Sequence, residues 1–404
     1  MSKRQTSGEP RLVVVGDGRS ANHVLSELVQ RVPHRYQIVA FAADQRVGCG
    51  PSDLSLAPAG ECTCRNGAVH YDAWRAKHDA THRKHDTIVA IDAVAKAVTT
   101  AGGRVQHYDK LILATGSTPV CVRIPGVGLP GVVIIRDLDD VGIILRQAAR
   151  SDHAVVIGGG LSAFKAAEGL RAKGIGVSVV HSTPTLMEHQ LDAVVNGLLR
   201  KAIEQRGVEV LTSANVRAIL GDTRVEGVRL DDDRIIPAEI VVMAVGVRPN
   251  VRLAKEAGLV TDHGVVVDDT MRTSDDDICA VGRCVQHRGR CYGRVPLEMA
   301  DVIVAQLSGD DKARYRGSVA SMRSNVAGID LFSAGDVSHG RETSNITLSD
   351  LSRGVYKRIV LRNNRIVGVV LCGETFDGPW FLDLMTKGVD IQPMRDSLVF
   401  GQAC

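Results

Sequence analysis

The chain has 404 residues, of which 44% are hydrophobic, 24% charged and 3% aromatic, and its formal net charge is +3. A chain of this length divides into roughly two to four domains, and so mild a charge gives no argument for binding nucleic acid or an anionic membrane, neither of which is expected. No apolar run reaches the roughly 18 residues of a membrane-spanning helix, and the polar stretch Met1–Pro10 lacks the apolar core of a secretion signal, so a cytoplasmic protein is expected.

Scarce aromatic residues leave the cores to Val, Ile, Leu and Ala, which suits buried parallel strands. Arg11–Val15 is a short β-branched run that ends at Gly16 and reads as a buried strand. Val24, Leu25, Leu28 and Val29 keep a helical period over residues 20–32, and Gln37–Phe41 reads as the next strand, completing a βαβ unit. Residues 45–70, rich in Gly, Pro, Ser and Asn, look irregular, and beyond them comes Leu111-Ile112-Leu113-Ala114-Thr115-Gly116. The same grammar then returns. Ala154–Ile157 runs into Gly158-Gly159-Gly160, a helix follows to about Lys173, Val177–Val180 is a strand, and Ile240–Val245 closes at Gly246. Two strand–glycine–helix–strand units, each closed by a strand ending Ala-x-Gly, amount to an internal duplication. From about Val319 the character changes: Val326–Phe332 and Tyr356–Leu361 read as strands, and Asn363-Asn364 as a hairpin turn before Arg365–Leu371. The expected class is α/β, with two Rossmann-like dinucleotide-binding domains and a small carboxyl-terminal α+β module.

Gly16-Asp17-Gly18-Arg19-Ser20-Ala21 fits the G-x-G-x-x-G/A fingerprint. Gly16 permits the tight turn, Gly18 lets backbone approach a pyrophosphate, and the small Ala21 lets helix and strand pack closely. The helix start offers free N–H groups and partial positive charge to phosphate. Alone the pattern is weak. Here it follows a strand, opens a helix and precedes Asp44, an acid placed to accept hydrogen bonds from ribose hydroxyls. In the second copy Gly158, Gly160 and Ala163 take the three roles, and the next strand ends at His181. An acid there would favour the free ribose of NADH, and an arginine cluster the 2′-phosphate of NADPH. His181-Ser182-Thr183 offers neither, which leaves the nicotinamide cofactor open.

The nine cysteines are odd in number and scattered, which argues against a secreted disulfide framework, and no CxxC dithiol is present. Cys62-Thr63-Cys64 makes a poor chelate without further ligands. His78, His82 and His85 have helical spacing, but Lys77, Arg83 and Lys84 beside them disfavour a cation, so a solvated basic helix and no metal site are expected.

The two fingerprints, together with Ala114-Thr115-Gly116-Ser117, Ala244-Val245-Gly246 and the stretch from Thr273 through Ile278-Cys279-Ala280-Val281-Gly282, resemble the FAD-dependent pyridine nucleotide reductases. Within that group the chain is most similar to the flavin part of the NAD(P)H-dependent assimilatory nitrite reductase large subunit. The phrases that carry this are Met187-Glu188-His189-Gln190-Leu191-Asp192, Val247-Arg248-Pro249-Asn250, Asp268-Asp269-Thr270-Met271-Arg272-Thr273-Ser274, Leu331-Phe332-Ser333-Ala334-Gly335-Asp336 and Gly378-Pro379-Trp380.

The resemblance implies a discontinuous FAD domain from residues 1–124 and 251–318, an inserted NAD(P) domain from 125–250, and a module at 319–404 with a surface for a homodimer contact. It implies FAD and NAD(P)H as cofactors, hydride transfer from nicotinamide C4 to flavin N5, and single-electron passage to a separate acceptor protein of the nitrite or nitrate reductase type. On the FAD side it points to Gly16, Gly18, Ala21, Asp44, Arg46, Thr115, Gly116, Gly282, Arg283 and Glu298. On the nicotinamide side it points to Gly158, Gly160, Ala163, His181 and Gly246. No side chain need act as acid or base. The full-length family continues into iron–sulfur and siroheme modules, for which this sequence holds no cysteine set, so a reductase half that works with a partner is implied.

The pattern departs at the flavin. Where the family has an acid after the last Ala-x-Gly, this chain has Arg283. The loop Val47–Ser52 holds no arginine, with only Arg46 nearby. Lys165 stands where a glutamate is common, and the usual tryptophan-containing segment is shortened near Pro296–Ala300. Arginine is donor-only and always charged, so Arg283 cannot copy a carboxylate's contact with FAD hydroxyls, although it can reach a phosphate oxygen. Two functions follow: an NAD(P)H-dependent flavin reductase serving nitrate or nitrite assimilation, or a nucleotide-binding scaffold or redox-sensing subunit with a degenerate flavin site. Flavin colour separates them.

Overall fold

A computed structural model describes residues 8–42, 81–84, 86–135, 138–292, 297–338, 340 and 342–402. These fall into two compact units, one from the described parts of residues 8–118 and 247–318, the other from 119–246 and 319–402.

The first unit is built on a five-stranded sheet. Its order is Ile278–Ala280, Lys110–Leu113, Arg11–Val15, Gln37–Ala42 and Thr81–Lys84, every pair parallel. Leu12, Val13 and Val14 are fully buried, as a central parallel strand covered on both faces must be. The crossover helix Arg19–Arg31 buries Val24, Leu25 and Leu28, the apolar stripe of its sequence. Residues 81–84 correct the reading of a basic helix across His78–His85: they form an edge strand paired to Val39–Ala42. Of the spacings of four and three between His78, His82 and His85, the four is compatible with either periodicity, and among the described residues Thr81–Lys84 has a strand neighbour on one side only, a place that tolerates charged residues.

The second unit repeats this plan. Its sheet runs Val208–Leu211, Gly176–Val180, His153–Ile157, Ile240–Met243 and Val132–Ile134, again all parallel. The duplication extends to the insertions. A three-stranded antiparallel meander precedes the Ala-x-Gly strand in each unit: Ile88–Asp92, Ala97–Thr100 and Val105–His107 in the first, and Val216–Leu220, Gly227–Leu230 and Ile235–Pro237 in the second. An acid just before the Ala-x-Gly strand holds the start of the fingerprint strand in both. Asp109 Oδ2 accepts from Arg11 N at 2.6 Å, and Glu239 Oε2 accepts from His153 N at 3.0 Å.

The carboxyl-terminal module belongs to the second unit. Its antiparallel sheet has the order Ser321–Val326, Ile329–Gly335, Arg365–Cys372, Val355–Arg362 and Ser344–Asp350, with helix Gly378–Lys387 against it. The run Val326–Phe332 is therefore not one strand. It turns at Ala327-Gly328, both with φ positive, and makes a hairpin. Asn363 and Asn364, with φ of 50° and 55°, form the turn expected of them. Val326, Leu331 and Val370 share one buried cluster with Phe164 and Leu199, so the module and the inserted Rossmann unit have a common core.

Polar contacts reinforce that core. On helix Leu161–Arg171, Lys165 Nζ donates to Asn325 O at 2.8 Å and Glu168 Oε1 accepts from Ala327 N at 2.5 Å. Asp192 caps helix Ala193–Gln205 by accepting from Val195 N at 3.1 Å. Its other oxygen accepts from Tyr356 Oη at 2.7 Å and from Arg358 Nη1 at 3.4 Å. The side chains of Asp192 and Arg358 are 8% and 3% exposed, so this pair lies out of water. Asp192→Ala removes a cap and one partner of a buried ion pair, and is expected to lower stability by about 3 kcal/mol or more in urea unfolding. Tyr356→Phe, which removes a single hydrogen bond, is expected to cost about 1 kcal/mol.

Candidate dinucleotide sites

In each unit the fingerprint strand turns sharply into the crossover helix at the carboxyl edge of the sheet. In the first, Gly16 has φ of 122°, and a Cβ built on it would lie 2.2 Å from Ala114 O. In the second, Gly158 has φ of 134°, and its Cβ would lie 2.3 Å from Ala244 O. Gly16 N donates to Phe41 O at 2.9 Å, and Gly158 N to Val180 O at 2.9 Å. Ala114 N donates to Val15 O at 2.8 Å, and Ala244 N to Ile157 O at 2.9 Å. Conformation and packing thus both demand glycine at these two positions. Ala21 and Ala163 are fully buried where helix meets strand, as the third fingerprint position requires.

The second glycines behave differently. Gly18 and Gly160 are the N-cap residues of helices Arg19–Arg31 and Leu161–Arg171, with φ of −68° and −95°, which any residue adopts. A Cβ on either would meet nothing of the chain within 4 Å. Neither helix has a side-chain cap or an acid in its first turn. The first-turn N–H groups therefore face outward without a side-chain partner, an arrangement that suits an anion.

Around the first crevice, Thr115 is clamped by Asn250. Thr115 Oγ1 donates to Asn250 O at 2.8 Å, Asn250 Nδ2 donates to Thr115 O at 2.8 Å, and Asn250 N donates to Gly116 O at 3.0 Å. Gly116 has φ of 66°, and the clamp fixes this turn at the end of its strand. Gly282 has φ of 92° and packs on Ser20, so Arg283, next in the turn Gly282–Cys284, stands beside the helix start. Glu298 is exposed and opens helix Glu298–Ser308. Asp44 and Arg46 lie outside the described residues, as do Cys49, Cys62, Cys64, His78 and His85. In the second unit, Gly246 has φ of 102° and its carbonyl accepts from Val120 N at 2.9 Å, while His181 follows the strand Gly176–Val180 and lies beside Gly159.

Asn250 and Asp192 were visible in the sequence only as parts of family-like phrases. Their roles depend on partners 135 and 164 residues away, which spacing cannot reveal. The expected absence of a dithiol spacing is corrected for C-x4-C, which Cys279 and Cys284 form. Both are free thiols. Desolvation pushes Cys279 up to about 11 and raises Cys284, which is fully buried under the Thr115–Gly116 turn. Thiols held protonated in this way are poor nucleophiles, so the pair does not have the character of a redox dithiol. Among the described residues no group of three or more His, Cys, Asp or Glu could hold a metal ion, and no helix is long and apolar enough to cross a membrane.

The fold and these two crevices define a protein with paired Rossmann units of the FAD/NAD(P) reductase type. The sequence profile described as pyridine nucleotide-disulphide oxidoreductase matches residues 10–309, and the chain belongs to that family. A second profile, the rubredoxin NAD+ reductase C-terminal domain, matches residues 323–389. The chain is 38% identical over 386 residues to a nitrite reductase [NAD(P)H] of Bacillus subtilis, covering 95% of this chain and 48% of that protein. It is 34% identical over 391 residues to the assimilatory nitrate reductase electron transfer subunit of the same organism, covering 96% of this chain and 51% of that protein. It thus spans about half the length of these relatives. Among solved structures, putidaredoxin reductase in covalent complex with putidaredoxin shares the fold, with a TM-score of 0.85 at 23% identity, over 98% of this chain and 97% of that one.

The two glycines of the second fingerprint are expected to fail in opposite ways. Gly158→Ala drives a Cβ into a backbone carbonyl and should cost about 3 kcal/mol or more of stability. Gly160→Val leaves urea unfolding nearly unchanged but puts bulk where a pyrophosphate approaches, and should weaken nicotinamide nucleotide binding, measured by calorimetry. Unchanged affinity in Gly160→Val would remove this crevice from consideration.

Proposed function

We propose that the chain is the NAD(P)H-oxidising half of a flavoprotein reductase, binding FAD in the first unit and NAD(P)H in the second. The observation that carries this reading is the pair of uncapped helix starts, each fronted by a glycine whose outer side is open and backed by a glycine locked against an Ala carbonyl. The residues fit the ligands: Gly18 and Gly160 leave room for pyrophosphate, the first-turn N–H groups supply donors, and Thr115 and Asn250 fix the turn that borders the flavin side. Bound there, FAD would supply two-electron acceptance from a nicotinamide and one-electron release to an acceptor. The chain's own part is to bind, orient and screen, and no side chain is assigned a proton transfer.

The acceptor is a separate protein or module of nitrate or nitrite assimilation. Support comes from the relatives, one named as an electron transfer subunit and others as nitrite reductases of about twice this length. Purified protein is expected to carry or regain FAD and to reduce an artificial dye, with NADH used at least as well as NADPH near neutral pH. A colourless protein that neither regains FAD nor reduces the dye would leave the nucleotide-binding scaffold as the better reading.

Arg283 offers a sharper test. Next to the helix start it adds positive charge where the family has an acceptor for flavin hydroxyls, so FAD should be held weakly and lost on purification. Arg283→Asp is expected to tighten FAD binding, by at most the roughly 1.5–3 kcal/mol of a hydrogen bond to a charged group. Weaker binding in the variant would make Arg283 itself a phosphate ligand and overturn the account of a degraded contact.

A further inference from the structure

We propose that Arg83 binds the adenosine half of the dinucleotide held by the first unit, an inference that rests on FAD binding there. The register of three neighbouring strands fixes its place. Val15 pairs with Phe41 and Phe41 with Arg83, in parallel throughout. Val15 ends the fingerprint strand one residue before Gly16, and Gly16 N donates to Phe41 O at 2.9 Å. Arg83 therefore stands level with the fingerprint turn and two strands along the carboxyl edge, about 10 Å away at the usual spacing of about 4.8 Å per strand. A dinucleotide whose pyrophosphate rests on the start of helix Arg19–Arg31 has its adenosine ribose at the end of the next strand, Gln37–Ala42. Beyond the ribose comes adenine, and beyond Gln37–Ala42 in the sheet comes Thr81–Lys84. The other end of the ligand runs the opposite way, toward Thr115 and Gly282, which follow the strands on the far side of Arg11–Val15.

The side chain has a donor to offer. Along the row Val15, Phe41, Arg83 the first two are buried apolar residues and the third is a cation. Arg83 is partly buried, and its Nε is shut off from water with no hydrogen-bond partner among the described residues. Arginine keeps its proton in a protein, so Nε–H is a donor in every state. A dry donor on a charged group costs more than one on a neutral group. An edge strand gives such a group easy access to water, so a buried and unpaired Nε there calls for an acceptor that arrives with a ligand. Adenosine brings several, its ribose oxygens and ring nitrogens, and it presents an aromatic face on which a planar guanidinium can stack.

The test is titration of the whole chain, freed of flavin, with FAD followed by flavin fluorescence, and with ADP as a competitor of FAD, for the natural protein, Arg83→Met and Arg83→Lys. Arg83→Met keeps the length of the side chain without its donors. It is expected to weaken FAD and ADP alike by about tenfold, the size of one hydrogen bond from a charged group. NADH affinity, measured by calorimetry, should not change. Because Nε has no partner in the protein, the ligand-free variant should unfold in urea no earlier than the natural chain. Arg83→Lys keeps the charge but loses Nε and the planar group, and should not restore FAD affinity. Unchanged FAD affinity in Arg83→Met overturns the proposal. So does a loss for FAD with none for ADP, which would place the contact outside adenosine, or full affinity in Arg83→Lys, which would reduce the effect to charge alone. Earlier unfolding of ligand-free Arg83→Met would make Arg83 a structural residue and overturn it too. If the natural protein binds no FAD, the function proposed above fails, and this inference with it. Tight FAD binding that ignores Arg83→Met sinks the inference alone.

Discussion

Both halves of this protein depend on one close approach: the Cα of the first fingerprint glycine against the carbonyl of the alanine in an Ala-x-Gly strand end. At 2.2 and 2.3 Å from where a Cβ would sit, the carbonyls of Ala114 and Ala244 leave no room for any side chain. The same glycines donate their N–H to the neighbouring strand, at Phe41 O and Val180 O. Three strand ends are thereby drawn together at one point. The chain leaving that point has nowhere to go but sharply outward into a helix, which sets the helix start over the carboxyl edge of the sheet, where α/β proteins bind ligands. The order of strands, with the fingerprint strand central and the Ala-x-Gly strand on its far side, is the topology that makes the approach possible.

The parts of the fold that could be read from the sequence are those governed by this local geometry. A β-branched run, a glycine pattern and a helical stripe lie within thirty or so contiguous residues, and their physics is self-contained. What escaped notice was set from a distance. Thr81–Lys84 becomes a strand because Val39–Ala42 offers an open edge, not because its own residues alternate. Ser344–Asp350 is likewise an edge strand, polar enough to pass for a loop. The hairpin at Ala327-Gly328 was hidden because the apolar residues on either side join into one run when the turn's positive φ values are unknown. Among site residues the glycines announced themselves, whereas Asn250 and Asp192 did not, since an Asn or Asp gains its meaning from a partner more than a hundred residues away.

The substitutions that set this chain apart from the family pattern divide on structural grounds. Lys165 and Glu168, one turn apart on the same helix, grip neighbouring groups of one turn in the carboxyl-terminal module, a carbonyl and an N–H. A glutamate in place of Lys165 would meet Asn325 O with a second acceptor and could not make that bond. The lysine is therefore accounted for by the joint between module and Rossmann unit, and it says nothing against a functioning flavin site. Arg283 belongs instead to the first unit, in the turn Gly282–Cys284. It sits beside a helix start that already carries partial positive charge, with Arg19 the first residue of that helix and no acid in the first turn.

The two crevices therefore share a backbone but not an electrostatic environment. The first has Arg19 at its helix start and Arg283 next to Gly282, which packs on Ser20, with Asp17 in the loop between its two glycines. The helix of the second opens with Leu161, and His181 lies beside Gly159, the middle glycine of its loop. Duplication supplied the same cradle twice, and the two copies differ in the residues around the cradle rather than in the cradle itself.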